Sequence, residues 1–405
     1  MKDIEPFAAV ILVCAGTLVL AVLFNRLSQW IRIPAPALFL IGATVAAALF
    51  PELGLLPRTI DIQLATVALV VILFDGGLHI GWKRFARVGG AVTLLGVVGT
   101  ALTAAAIAVL AHVLFGFDWQ VSLLLGAALS PTDPAVVFSV LGKKEIEGRT
   151  GTILEGESGA NDPVGIALMI SLLGATGGGM DAIAGGALEF GLQIVIGAVV
   201  GLVGGWLVVR LLRHVSLPSA ALFAVLTIAA AGVIYGGATL LHGSGFLAVL
   251  LAGILVGDAK APFQREVERF SAGLSGVAEV VVFVVLGLSV PLVDILRPDV
   301  LWVGLGLAAL LIFLVRPILV GVLVLPLRLR WGERAFVLWA GLKGAVPILL
   351  GLFIVSAKVA GDDRLYAIIY IVVVVSVILQ GGLVPVAARL FRVPMRTADP
   401  ALRAD

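Results

Sequence analysis

The sequence predicts an all-α, polytopic membrane protein of about 13 transmembrane helices, built as inverted-topology repeats with two broken helices that cross. Three observations carry that expectation. The 405 residues are 61% hydrophobic and only 13% charged, against about a quarter charged in soluble domains. Apolar runs of spanning length follow one another along the chain. Two of those runs are interrupted by proline and glycine beside an ionisable residue, and they lie seven spans apart.

A mean hydropathy of +1.17 cannot be hidden in one water-soluble core, so the solvent of this chain is lipid. The net charge of +2 comes without any long basic run, and no nucleic-acid partner is expected. A single cysteine, Cys14, allows neither an intramolecular disulfide nor a thiolate metal site. Residues Met1 to Pro6 lack a basic n-region, and no small-residue cleavage pattern follows Ala9 to Phe24, so the first apolar run reads as a retained span.

The spans fall at roughly 7–24, 34–50, 60–80, 88–115, 119–141, 152–174, 182–209, 218–236, 243–257, 270–290, 299–325, 335–356 and 365–388. The ninth is short and the fourth and seventh are long, which leaves room for tilt or re-entrant pieces. Alternate loops gather the cations: Arg26 and Arg32, then Lys83, Arg84 and Arg87, then Lys143, Lys144 and Arg149. The series continues with Arg210 and Arg213, with Lys260, Arg265 and Arg269, and with Arg328, Arg330 and Arg334, and it ends in a tail rich in arginine. The other side has only Lys2, Arg58, Arg297, Lys358 and Arg364. By the positive-inside rule the N-terminus is outside and the C-terminus cytoplasmic, as in a bacterial inner membrane. Residues 1–391 form one membrane domain, and 392–405 a short cytoplasmic tail.

An ionisable side chain at the bilayer centre costs about 2.5–3.5 kcal/mol on insertion scales and usually marks an interior or an ion path. The candidates are Asp75, Asp133, Glu157, Asp162, Glu189, Glu279, Arg316 and Lys343. At 1.5 Å per residue, Asp133, Asp162, Glu279, Arg316 and Lys343 lie about 12–15 Å from the inner end of their spans, and Asp75 about 8 Å. Groups from six different spans thus share one slab. Glu189 enters from the outer side and fits an outer vestibule.

Span five contains Ser130-Pro131-Thr132-Asp133-Pro134. Two prolines remove two amide donors and disturb the carbonyls a turn earlier. Such a break must line protein or water. Asp133 before Pro134 reads as a helix N-cap, its charge offsetting the positive end of the second half-helix. Span twelve contains Gly341-Leu342-Lys343-Gly344-Ala345-Val346-Pro347, a second break with a cation placed to offset the negative ends of facing half-helices. An odd shift between the two spans makes them run in opposite directions, the signature of an inverted repeat with a midplane site.

Span six opens with Glu155-Gly156-Glu157-Ser158-Gly159-Ala160-Asn161-Asp162-Pro163. Ser158 and Asp162 are i, i+4 neighbours, as are Glu157 and Asn161. Carboxylate, hydroxyl and amide oxygens are hard ligands suited to a dehydrated alkali ion. A carboxyl group held away from water takes either a proton or a cation, and that rivalry is the simplest physical basis of exchange.

These residues resemble the monovalent cation:proton antiporter family, in its NhaP and sodium/proton exchanger branch. The matching pieces are Phe74-Asp75-Gly76-Gly77-Leu78, Thr132-Asp133-Pro134, Glu157-Ser158 with Asn161-Asp162, and Gly341 through Pro347, in the expected order over most of the chain. The resemblance implies that Asp162 alternates between cation and proton, with Ser158, Asp75 and the main-chain oxygen of Thr132 completing the site. It implies that Asn161 holds the crossing helices together with Thr132 and Asp133. It also implies that the basic residue at 343, usually arginine and here lysine, pairs with Glu157 or Glu279. The family implies a homodimer in lipid that moves a core domain against a scaffold. The expected cargo is Na⁺ or K⁺ and H⁺, with no cofactor. One acid beside an amide, where electrogenic relatives carry two acids, points to electroneutral exchange. The Gly197/Gly201/Gly205 series suits close helix packing, within or between subunits.

Two other classes fit less well. A gated channel would use the same polar slab, but the chain has no Thr-Val-Gly-Tyr-Gly filter. A hydrolase would need a base, and His79, His112, His214 and His242 are scattered near span ends, with no His-Glu-x-x-His.

Overall fold

The computed structural model describes residues 34–50, 57–141, 144–146, 148–175 and 180–397, with the single positions 16, 19 and 23. Apart from those three positions, the predicted first span lies outside these, as do Cys14 and the tail beyond Thr397. Every later predicted span has a helical counterpart among the described residues.

Helix α1 (Ala35–Leu49) carries Pro36 in its first turn, where a missing amide costs nothing. Helix α2 (Arg58–Thr93) runs through a π-helical stretch, Leu94–Gly99, into α3 (Thr100–Phe115). The continuous run of 58 residues would rise about 87 Å if straight, far beyond one bilayer. It folds back at Gly81, whose φ of 65° suits a residue without Cβ, and so makes spans three and four of a single helical run. The carboxylate of Asp258 lies under this kink and accepts the Lys83 amide at 2.7 Å, capping the second arm. The sequence reading expected a loop at residues 81–87; the bend needs only one residue.

Broken span five is α4 (Trp119–Leu129) and α5 (Ala135–Leu141). Helix α6 (Arg149–Gly174) carries Asp162, and α7 (Met180–His214), α8 (Ala220–Leu240), α9 (Gly245–Gly257) and α10 (Gln264–Leu288) follow. The short α11 (Leu292–Ile295) leads to α12 (Pro298–Leu310), a π-helical stretch Leu311–Val320, and α13 (Gly321–Val324). Broken span twelve is α14 (Trp331–Trp339) and α15 (Ala345–Ser356). Span thirteen is α16 (Asp362–Val375), a π-helical turn Ser376–Gly381, and α17 (Gly382–Leu390).

Six of the described helical runs are long and apolar enough to cross a membrane, and α6 is not among them. Its first half is polar, and protein rather than lipid shields it: Gly156, Glu157, Ser158, Asn161 and Asp162 are all buried. The glycine series on α7 packs within the chain. Cβ atoms at Gly197, Gly201 and Gly205 would strike Ser244, Ala248 and Ala252 on or next to α9.

The structure adds one element to the all-helical expectation. Strands β1 (Lys144–Ile146) and β2 (Met395–Thr397) pair antiparallel, Glu145 opposite Arg396. They join the start of α6 to the segment after the last helix.

Candidate ion site at the crossing of two broken helices

The two breaks meet directly. The Asp133 amide donates to the Leu342 carbonyl at 2.8 Å, bonding one interrupted backbone to the other. Pro131 and Pro134 have no amide hydrogen, so Thr132 is the remaining donor at the centre of the first break. Its N–H goes to Asn161 Oδ1 at 3.2 Å, and Asn161 Nδ2 donates to Thr132 Oγ1 at 2.6 Å. Asn161 therefore ties α6 to the break through both ends of its amide, as the resemblance implied for Thr132. Its bonds do not extend to the Asp133 side chain. No backbone amide among the described residues donates to the Thr132 carbonyl outside the helices, which leaves that oxygen for another partner.

Asp133 Oδ1 accepts the Ala135 amide at 2.8 Å. The expected cap is present, shifted by one residue because Pro134 precedes the first helical turn instead of opening it. The same carboxylate lies against Gly344, where a Cβ would collide with it. Asp133 thus stands between the N-terminal ends of α5 and α15, where negative charge is favoured.

The cations take the opposite, carbonyl-bearing ends. Lys343 is 1% exposed, and its Nζ donates to the Ser130 and Pro131 carbonyls at 3.0 and 2.9 Å, just beyond the C-terminal end of α4. Arg316 donates from Nε to the Leu338 carbonyl and from Nη2 to the Val337 carbonyl, both at 3.0 Å, at the end of α14. Its Nη1 lies 3.0 Å from Glu157 Oε1. Gly341 leaves room for the guanidinium, since any Cβ there would overlap it.

This corrects the expected pairing. The direct partner of Glu157 is Arg316, not Lys343. Glu279 is only part-buried, and Asp133 acts on it electrostatically. A planar fork binds a carboxylate and two carbonyls together, whereas a lysine ammonium suits two adjacent carbonyls. The π-helical stretch around Pro317 presents Arg316, and periodicity alone does not reveal it.

Asp162 is buried between these charges. Asp133 and Lys343 act on it electrostatically, and its Oδ1 has no hydrogen-bond partner. Ser158 is buried one turn before it. Asp75 is buried on α2, which packs against α6. Asp75 Oδ1 also lacks a hydrogen bond; His79 Nδ1 lies 3.4 Å from it and bonds to the Asp75 carbonyl at 2.9 Å. His79, which the sequence placed near an interface, has a side chain 55% exposed, against 12% for Asp75. Buried oxygens without partners are costly in a protein interior. On Asp75 and Asp162 they are acceptors suited to a hard cation. A cavity of about 10 Å³, room for one water, lies beside Glu157, Thr100, Thr103 and Ser130. Glu189 stands apart from this cluster on α7, exposed and within 3.4 Å of Gln193 Nε2.

Two buried polar neighbours of the second break were not picked out from the sequence. Ser376 and Gln380, in the π-helical turn of span thirteen, contact the second break. Their only sequence signal is a pair of polar residues four apart inside an apolar run.

Two interrupted helices that cross, with their free ends neutralised by side chains of opposite charge around a buried carboxylate, define a polytopic transporter of the inverted-repeat class. The chain belongs to the sodium/hydrogen exchanger family: the family model for the transmembrane sodium/hydrogen exchanger matches residues 15–390. It is 34% identical over 395 residues to the K(+)/H(+) antiporter NhaP of Alkalimonas amylolytica, covering 95% of this chain and 67% of that protein. It is 28% identical to the Na(+)/H(+) antiporter NhaP of Pseudomonas aeruginosa over 364 residues, covering 82% of this chain and 83% of that one. The fold matches that of the sodium proton antiporter MjNhaP1 from Methanocaldococcus jannaschii at pH 8, with a TM-score of 0.80, 22% identity, and 95% and 98% of the two chains covered.

Proposed function

We propose that this protein is a secondary antiporter that exchanges a monovalent cation, Na⁺ or K⁺, for H⁺ across a bacterial inner membrane. Asp162 holds the cation or the proton in turn, one for one. The carrying observation is the Asp162 carboxylate: buried, with an unpartnered oxygen, beside the junction of the two breaks. Ser158, Asp75 and the Thr132 carbonyl complete the oxygen set, and the hard-ligand chemistry of that set suits an alkali ion. Relatives named as K(+)/H(+) and Na(+)/H(+) antiporters support the reaction class and leave the cation open between these two.

The remaining residues act on that carboxylate or its frame. Asn161, Asp133 and Lys343 fix the crossing, while Glu157 with Arg316 secures the C-terminal end of α14. Glu279 adds negative potential near Asp133. A proton on Asp162 removes the charge that attracts the cation, and a cation in its place disfavours the proton, so neither gradient dissipates without the other. The N-terminus lies outside and the C-terminus in the cytoplasm, with 1–391 as the exchanging domain and 392–405 as a short tail. The working unit is a homodimer in lipid.

The test is dequenching of a pH-sensitive dye in everted vesicles, adding Li⁺, Na⁺, K⁺ and Rb⁺ in turn. Wild-type vesicles release their proton gradient with Na⁺ or K⁺, and Asp162→Asn vesicles with none of the four. Normal cation-dependent proton movement in the Asn variant would reject the site.

A further inference from the structure

Span thirteen holds two buried polar side chains that the exchange chemistry leaves unused. Ser376 and Gln380 are 0% and 1% exposed, i, i+4 neighbours in the π-helical turn Ser376–Gly381. An amide and a hydroxyl enclosed at this depth cost several kcal/mol unless hydrogen-bonded. Their bonds form one directed chain. The Lys343 amide donates to Ser376 Oγ at 3.0 Å, and Ser376 Oγ donates to Gln380 Oε1 at 2.6 Å. Gln380 Nε2 donates to the Trp339 carbonyl at 3.0 Å, and Trp339 Nε1 returns a bond to the Gln380 carbonyl at 3.2 Å.

The chain brackets the second break. One end holds Trp339, the last residue of α14, and the other holds the backbone of Lys343. Both ends of the Gln380 amide are used, so neither an apolar residue nor a carboxylate of the same length reproduces the pattern. Gly381 continues the contact, since a Cβ there would lie 3.1 Å from Leu342 Cδ2. The same Lys343 presents Nζ to the first break and acts electrostatically on Asp162.

We infer that Ser376 and Gln380 are positioning residues of the exchange site: they hold the backbone of Lys343 so that its ammonium stays on the Ser130 and Pro131 carbonyls at a fixed reach from Asp162. This rests on the reading of Asp162 as the group that exchanges. A displaced Lys343 changes the field at that carboxylate, so the readouts that move are cation affinity and pH profile.

The experiment uses the full chain in proteoliposomes with an imposed pH gradient, and the cation that best supports wild-type exchange. Ser376→Ala, Gln380→Met, Gln380→Glu and the Ser376→Ala/Gln380→Met double variant are compared with wild type and Asp162→Asn. Each single variant is expected to change the half-saturating cation concentration about three- to tenfold, the size of one buried hydrogen bond, and to displace the pH profile. The double variant should be no worse than the worse single one, because both act through one chain. Wild-type half-saturation and pH profile, with only turnover or thermal stability reduced, would overturn the inference and leave a structural role. If Gln380→Met does not fold, Ser376→Ala, which removes a single oxygen, decides alone. Exchange by Asp162→Asn, or none by wild type, rejects the site reading itself and the positioning role with it. An inactive Asp162→Asn beside unaltered Ser376 and Gln380 variants rejects only the positioning role.

Discussion

Lys343 serves two carbonyls with one ammonium. Each would otherwise be an unpaired acceptor in a protein interior, at about 1–3 kcal/mol apiece. Lys343→Ala removes both bonds and the charge facing Asp162, and also opens a cavity. Lys343→Arg keeps charge and donors but must fit a planar fork into a space shaped for a compact head. Arginine is therefore expected to retain measurable exchange in reconstituted vesicles, and alanine to lose it by at least about tenfold more, one buried bond's worth or greater. Equal losses would mean that the charge at 343 matters less than the shape. The same arithmetic explains why sequence reasoning placed the wrong partner on Glu157. Arg316 and Lys343 are both long cations near one depth, and only the geometry of the breaks decides which reaches the carboxylate and which the carbonyls.

At the scale of elements, the junction is held by few bonds, and Asn161 makes two of them, to the Thr132 amide and hydroxyl. Asn161→Ala strands a buried N–H and is expected to lower stability by about 1–3 kcal/mol, read as a drop in melting temperature of the detergent-solubilised protein. Exchange should fall further than that destabilisation accounts for, because the break that carries the Thr132 carbonyl loses its tie to α6. Loss of stability with full exchange in the folded fraction would show that the clamp is not part of the site. Much of this frame was legible beforehand. Pro131, Pro134, Gly341, Gly344 and Pro347 mark both breaks, because proline removes a donor and glycine admits a neighbour wherever they stand. Asn161 and Asp162 stand out as polar groups where lipid should be. The π-helical stretches that aim Arg316 and the Ser376/Gln380 pair leave no such trace, since a register shift of one residue changes no residue type. Likewise, the fold-back at Gly81 hid inside what reads as a basic loop. The β1–β2 pair is too short for any pattern.

For the whole molecule, the number of charges that cross the membrane per cycle follows from how many groups at the junction change protonation. Asp162 Oδ1 has no hydrogen-bond partner, as is true also of Asp75 Oδ1 and Glu157 Oε2, and the proposed cycle places the exchanging proton on Asp162 alone. Asp133 is engaged by the Ala135 amide and the two half-helix ends, and Glu157 is engaged by Arg316. Lys343 is held on two carbonyls that need its hydrogens. Beside Asp162 stands Asn161, which carries no charge in either state. On the proposed reading one carboxylate binds one cation in one half-cycle and one proton in the other, and equal charge travels each way. Exchange driven by a pH gradient in proteoliposomes is expected to keep the same rate when a potential of about 100 mV, worth about 2.3 kcal/mol per transported charge, is imposed with valinomycin or its sodium-selective counterpart. A voltage-sensitive dye should register no potential generated by turnover. A rate that follows the imposed voltage would mean that a second group titrates in the cycle, with Lys343 the first to test through the voltage response of Lys343→Arg, in which the cation at 343 is permanently charged.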